Sequence, residues 1–138
     1  MRNVVNAVLL RGSRVLLARR SPQRKAYGNL WSFPGGHVEP DETFEEALVR
    51  ESREEIGILP ITYRALGSIA DPATATASPA TYHMYAVTSW EGGEPAILDN
   101  EHTALEWFTL EASVELPGLA LEEYRSLFRK LILDRSRL

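Results

Sequence analysis

The chain contains no cysteine. Disulfides, thiolate metal centres and cysteine nucleophiles are thereby excluded, and the composition is compatible with a reducing cytoplasm, the expected location. Long apolar runs are missing as well. The N-terminal stretch "MRNVVNAVLLRGSRVLLARR" is interrupted by Asn6 and Arg11, and it is too short and broken for a membrane span or a signal peptide. Basic charge is not in excess: 15 Lys and Arg stand against 19 Asp and Glu, a net charge of −4. Binding along a nucleic-acid backbone is driven by clustered Lys and Arg, so a nucleic-acid polymer is not an expected partner. A small anionic substrate bridged by a metal ion is compatible with this charge. Neither a repeat nor a linker divides the 138 residues, and two domains within that length would each be marginal. One domain over residues 1–138 is expected.

What is present is patterned. Val4 to Leu10 and Val15 to Arg20 are aliphatic runs around Gly12 and predict a hairpin. "SPQRKAYGNLW" reads as an irregular connection before a short segment, Trp31 to Phe33, and Pro34, Gly35 and Gly36 disfavour regular structure thereafter. Thr43 followed by Glu46 has capping-box spacing, so a helix is expected from near Thr43 to Ile56 or Gly57, with Phe44, Ala47 and Leu48 as its buried stripe. Strands are expected over Ile61 to Ile69, Thr81 to Trp90 and Glu106 to Thr109, with "ADPATATASPA" as a loop and "EGGEP" as a turn. The apolar period from Leu121 to Leu133 predicts a final helix. A mixed sheet covered by helices on two sides is the simplest architecture for this order.

The first helix concentrates acids. Residues three and four apart share a helix face, so Glu51, Glu54 and Glu55 can present carboxylates together, and their repulsion is unfavourable unless cations relieve it. Hard divalent cations such as Mg²⁺ and Mn²⁺ prefer such oxygen ligands. A solvated acidic face carrying the helical ion pairs Glu46/Arg50 and Arg50/Glu54 is the alternative reading of the same residues. The wider arrangement decides between them: Gly36, then Glu42, then Arg50, Glu51, Ser52, Arg53, Glu54, Glu55, Ile56, Gly57 and Ile58. This stretch, residues 36–58, resembles the Nudix box, G-x5-E-x7-R-E-U-x-E-E-x-G-U with U an aliphatic residue. Every position with a single named residue matches, and Ser52 is the one departure, at an aliphatic position. Similarity to small MutT-like members of the family extends from the first hairpin through "GNLWSFPGG" to "EHTALEWF".

The resemblance implies an α/β/α sandwich with a mixed sheet and the divalent-cation-dependent hydrolysis of a nucleoside diphosphate linked to another group. It implies Glu51, Glu54 and Glu55 as metal ligands together with a main-chain carbonyl at Gly35 or Gly36, Mg²⁺ as the cofactor with Mn²⁺ as a substitute, and Arg50 as an orienting residue for the acids. Glu42 supports that network or caps the helix. Glu101, in the loop before the last strand, is a further ligand or the general base, with Glu54 the other candidate for the base. Arg19 is a candidate phosphate contact; Tyr27, Trp31 and Phe33 are candidates to stack on a base, with Tyr82, His83 and Tyr85 opposite. Arg20, Arg24 and Lys25 are further basic candidates, and His102 reads as an ordinary loop histidine. The expected substrate is a small nucleotide, a nucleoside triphosphate that is oxidised or not, cleaved to a monophosphate and pyrophosphate. ADP-ribose, a nucleotide sugar, or a sensor role without hydrolysis are the alternatives.

Overall fold

The computed structural model describes residues 2–72 and 78–136; residues 73–77 of the expected small-residue loop lie outside the described residues. Strand β1, Arg2–Arg11, turns at Gly12 into β2, Arg14–Arg20. The expected hairpin forms, but only its base is paired, Leu10 with Val15 and Arg11 with Arg14. Beyond that the two strands diverge, and the chain from Trp31 to His37 fills the wedge. There β3, Trp31–Ser32, pairs with β2, while β4, Gly35–His37, pairs with β1 from Val4 to Asn6. The glycine segment expected to be irregular is thus a strand. A side chain at Gly35 would overlap the Val5 carbonyl, so the absence of a Cβ is what allows this close pairing.

Helix α1, Phe44–Ile56, has the expected ends. Thr43 Oγ1 accepts from the Glu46 amide at 3.1 Å, Glu46 accepts from the Thr43 amide at 2.9 Å, and Gly57 closes the last turn at a φ of 71°. Strand β5, Leu59–Asp71, runs antiparallel to β6, Ala80–Glu91, and β6 returns parallel to β1 from Arg2/Ala80 to Leu9/Val87. Strand β7, His102–Thr109, is longer than expected and pairs antiparallel with β2. Helix α2, Leu110–Val114, has no counterpart in the sequence reading; α3, Glu123–Ser136, matches the final apolar period.

The alternation of strand side chains separates two cores. Val5, Ala7 and Leu9 pack with Ala47, Leu48 and Ile56 of α1. Val8 packs with Tyr124, Phe128 and Leu131 of α3, on the other face. The result is the expected mixed sheet between helical layers, and the wedge between β1 and β2 opens at its edge. No helix among the described residues is long and apolar enough to cross a membrane.

Candidate functional site

Arg50 is the hub of the acidic helix. Its Nε and Nη2 donate to the two oxygens of Glu42 at 2.5 and 2.8 Å, its Nη1 donates to Glu51 at 2.8 Å and Glu54 at 3.4 Å, and Nη2 also reaches the His37 carbonyl at 3.0 Å. A planar guanidinium is suited to this forked set of acceptors. Bonding to Arg50 holds the Glu42 carboxyl down at about 2, so Glu42 acts in the network, while the cap belongs to Glu46. The alternative pair of Glu46 with Arg50 is absent among the described residues.

The three box glutamates do not share one environment. Glu51 is held beneath Arg50 with its side chain 14% exposed, and its carboxylate lies against Gly36, where a Cβ would overlap it. Glu55 is 4% exposed and accepts from the Gly35 amide at 2.8 Å. Glu54, one residue and about 100° around the helix, is 61% exposed and meets the cluster, among the described residues, through Arg50. Ser52 is buried, and its small side chain sits where the box carries an aliphatic one.

Burial raises the Glu51 carboxyl and pushes Glu55 up to about 9, against the opposing Gly35 amide and with the charges of Asp99, Glu51 and Glu101 adding to the shift. Buried oxygen donors that repel one another need a cation or protons, and an all-oxygen set with main-chain glycines alongside suits a hard divalent cation. Asp99 and His102 enlarge the donor set: one ligand atom each from Glu55, Asp99 and His102 lies within 4.8 Å of the others. His102 is buried, with Nδ1 3.2 Å from Asp99, and burial lowers its pKa despite that carboxylate.

Beside the acids a cleft of about 240 Å³ opens, lined by Gly36, Glu51 and Glu101 and by the apolar groups of Phe33, Leu121 and Tyr124. Glu101 is 47% exposed and pairs with Arg24 at 3.3 Å across the opening. Tyr27 and Tyr82 also line it, and both hydroxyls donate to Asp71, Tyr27 at 2.8–2.9 Å and Tyr82 at 3.5 Å. Phe33 reaches the cleft from the core, edge-on to Tyr124. Arg19 and Trp31 are not brought there. Arg19 donates to the Asn29 carbonyl and stands 5.9 Å from the Trp31 ring, which itself packs edge-on to Phe108. A register shift between Arg19 and Arg20 in the β2–β7 pairing accompanies this exchange, and Arg20 lines the cleft in place of its neighbour. His83 is also elsewhere, stacked on Phe44 at 4.0 Å, and Tyr85 packs against the α1 core. A wider depression of about 650 Å³ runs along α1 towards Tyr63; it lacks Glu51, Glu55 and both β4 glycines, so its size does not make it the chemical site.

Comparison with known proteins finds similar sequences and folds. A family model described as "NUDIX domain" matches residues 1–131. The CTP pyrophosphohydrolase of Escherichia coli is 38% identical over 119 residues, which cover 85% of this chain and 82% of that protein. A putative 8-oxo-dGTP diphosphatase 2 of Mycobacterium tuberculosis is 38% identical over 106 residues, 77% of this chain and 72% of that protein. In structure, a MutT NUDIX hydrolase from Burkholderia pseudomallei superposes with a TM-score of 0.81 at 29% identity, over 93% of this chain and 95% of that one.

Proposed function

Because the chain belongs to the NUDIX family, we propose that it hydrolyses a phosphoanhydride bond of a nucleoside triphosphate, yielding a monophosphate and pyrophosphate with Mg²⁺ or Mn²⁺ as cofactor. The observation that carries the reading is the half-buried Glu51 and the buried Glu55 held against the β4 glycines, with Glu51 and Gly36 lining a cleft that also carries Phe33, Leu121 and Tyr124. Relatives named for CTP and 8-oxo-dGTP support a triphosphate over ADP-ribose. A cytoplasmic setting belongs to the same proposal.

Glu51 and Glu55, with the Gly36 carbonyl and with the exposed Glu54 beside them on α1, would hold the cation. Bound there, it supplies charge neutralisation at the diphosphate oxygens and acidifies a water molecule. Arg50 keeps Glu51 and Glu54 in place, and Glu42 keeps Arg50 in place. Arg20 and Arg24, which line the same cleft, meet the phosphate charge. Glu101 takes the proton of the attacking water: it lines the cleft, paired with Arg24, whereas Glu54 is turned out to solvent. Tyr27 and Tyr82 flank the nucleoside.

A screen of nucleoside triphosphates, oxidised nucleotides, ADP-ribose and nucleotide sugars in Mg²⁺, with products resolved, tests the proposal. Monophosphate and pyrophosphate are expected. Orthophosphate as the first product, or tight nucleotide binding with no turnover, would overturn it, the latter in favour of a sensor.

A further inference from the structure

The loop before β7 is fastened to the last turn of α1. The Ala96 amide donates to the Ile56 carbonyl at 3.2 Å and the Leu98 amide to the Glu55 carbonyl at 2.8 Å, so the chain enters Asp99 beside the most buried of the box glutamates. The far side of the turn is held as well: Asp99 Oδ1 accepts from the Glu101 amide at 3.3 Å, and His102 stands opposite Arg20 in the β2–β7 ladder. These attachments gather Glu55, Asp99 and His102, with one ligand atom of each within 4.8 Å of the others. Asp99 with His102 alone would be a loop brace. A second carboxylate set against that brace, 4% exposed, is not explained by bracing, because its charge opposes that of Asp99.

The spacing suits a metal ion. Asp99 Oδ2 and His102 Nδ1 are 3.2 Å apart, and two donors held at about 2.0–2.1 Å by one tetrahedral ion stand about 3.3–3.4 Å apart. Glu55 then has at most about 1.5 Å to travel. One of its oxygens is free to do so, since Oε1 accepts from the Gly35 amide while Oε2 has no hydrogen-bond partner among the described residues. Nor is the group sealed. Among the described residues the buried side-chain atoms left unpartnered are Arg2 Nε, Asn6 Oδ1 and Arg135 Nη1; the unbonded Glu55 Oε2 and His102 Nε2 are not among them, and His102 lines the cleft.

We propose that Glu55, Asp99 and His102 form a second cation site, which takes a borderline transition ion such as Zn²⁺ in preference to Mg²⁺. The proposal goes beyond the hydrolytic reading and does not rest on it. The donor set decides the ion: Mg²⁺ asks for an octahedron of oxygens, whereas one imidazole with two carboxylates is a mixed set that suits Zn²⁺ and leaves a fourth position to water. Desolvation keeps the imidazole neutral, so a ring nitrogen has a lone pair to give. When the ion takes Nδ1, the ring proton moves to the open Nε2. Glu55 belongs both to this set and to the all-oxygen set around Glu51, so the two ions would be neighbours.

The test uses the metal alone. The chain has three histidines, His37, His83 and His102, and nitrogen-15 labelling of their rings reads each of them separately by NMR. One equivalent of Zn²⁺ should shift the ring nitrogens of His102, and Mg²⁺ in large excess should leave them in place. Calorimetry should show Zn²⁺ affinity falling by at least about 10-fold in both His102→Ala and Asp99→Asn. Zn²⁺ shifts confined to His37 or His83, an equal response of His102 to Mg²⁺, or wild-type Zn²⁺ affinity in both folded variants overturns the proposal. Should the variants fail to fold, the wild-type spectra decide alone. Turnover is not read, so a failure of the nucleotide reading leaves this result untouched.

Discussion

Gly36 touches the Glu51 carboxylate so closely that any side chain there must move one of the acids proposed to bind the cation. Gly36→Ala is therefore expected to cut turnover by about 100-fold, the order of loss that follows an ångström-scale misplacement, while thermal unfolding shows a folded protein. Unchanged steady-state rates would remove Glu51 from the site. Glu101 is argued to act on the water rather than to shape the acid cluster, so Glu101→Gln should lower kcat by about 10²- to 10⁴-fold and leave Mn²⁺ affinity nearly intact. Arg50→Lys should do the reverse. A single ammonium cannot replace the fork to Glu42 and Glu51, and weakened support of metal ligands commonly costs about 10–100-fold in metal affinity. Titration of Mn²⁺ by electron paramagnetic resonance separates the two variants, and identical profiles would contradict the division of roles.

At the scale of elements, α1 is held by its own termini. Thr43→Ala removes the oxygen that accepts from Glu46 and is expected to cost about 1 kcal/mol, measured as a lower denaturant midpoint at unchanged slope. This helix was legible in the sequence because its signals are local: a capping box at one end, Gly57 at the other and an apolar stripe between them. That the acids proposed to face the metal share one stretch of helix was legible by their spacing, since a helix turns its residues through a fixed angle. The same angle explains why the triplet divides, with Glu55 inward and Glu54 outward, which counting acids alone does not reveal. Where the sequence reading went astray, the cause is tertiary. Glycines at 35 and 36 look like a break until β1 is present to pair with them. Arg19 and Arg20 are equivalent as letters, and a register shift against β7 separates them. Asp99 and His102 carried no spacing signal, because only folding brings them to Glu55.

At the scale of the whole molecule, the acid cluster is a store of unfavourable charge in the folded state alone, so a cation that binds it should stabilise the fold. At 100 times its dissociation constant the gain is about 2.7 kcal/mol, visible as a higher melting temperature in Mn²⁺ or Mg²⁺ than in chelator. A melting temperature indifferent to both ions would show that the donors do not form a cation site. The divergence of β1 from β2 has a further consequence, for the order of assembly. The Glu51 and Glu55 side of the site is built from the earlier segments, β1 with β4 and the following helix, whereas Tyr82, Glu101 and Tyr124 come from β6 and beyond and arrive only after β6 has returned to lie parallel to β1. Pairings between distant segments come late in folding because loop closure precedes any reward from them. In stopped-flow experiments the cation should then accelerate refolding, having a site in the transition state, while a nucleotide should only slow unfolding. The parts of one site would thus be dated by their ligands: the part that holds the cation is old in the life of each folding chain, and the part that completes the nucleotide site is young.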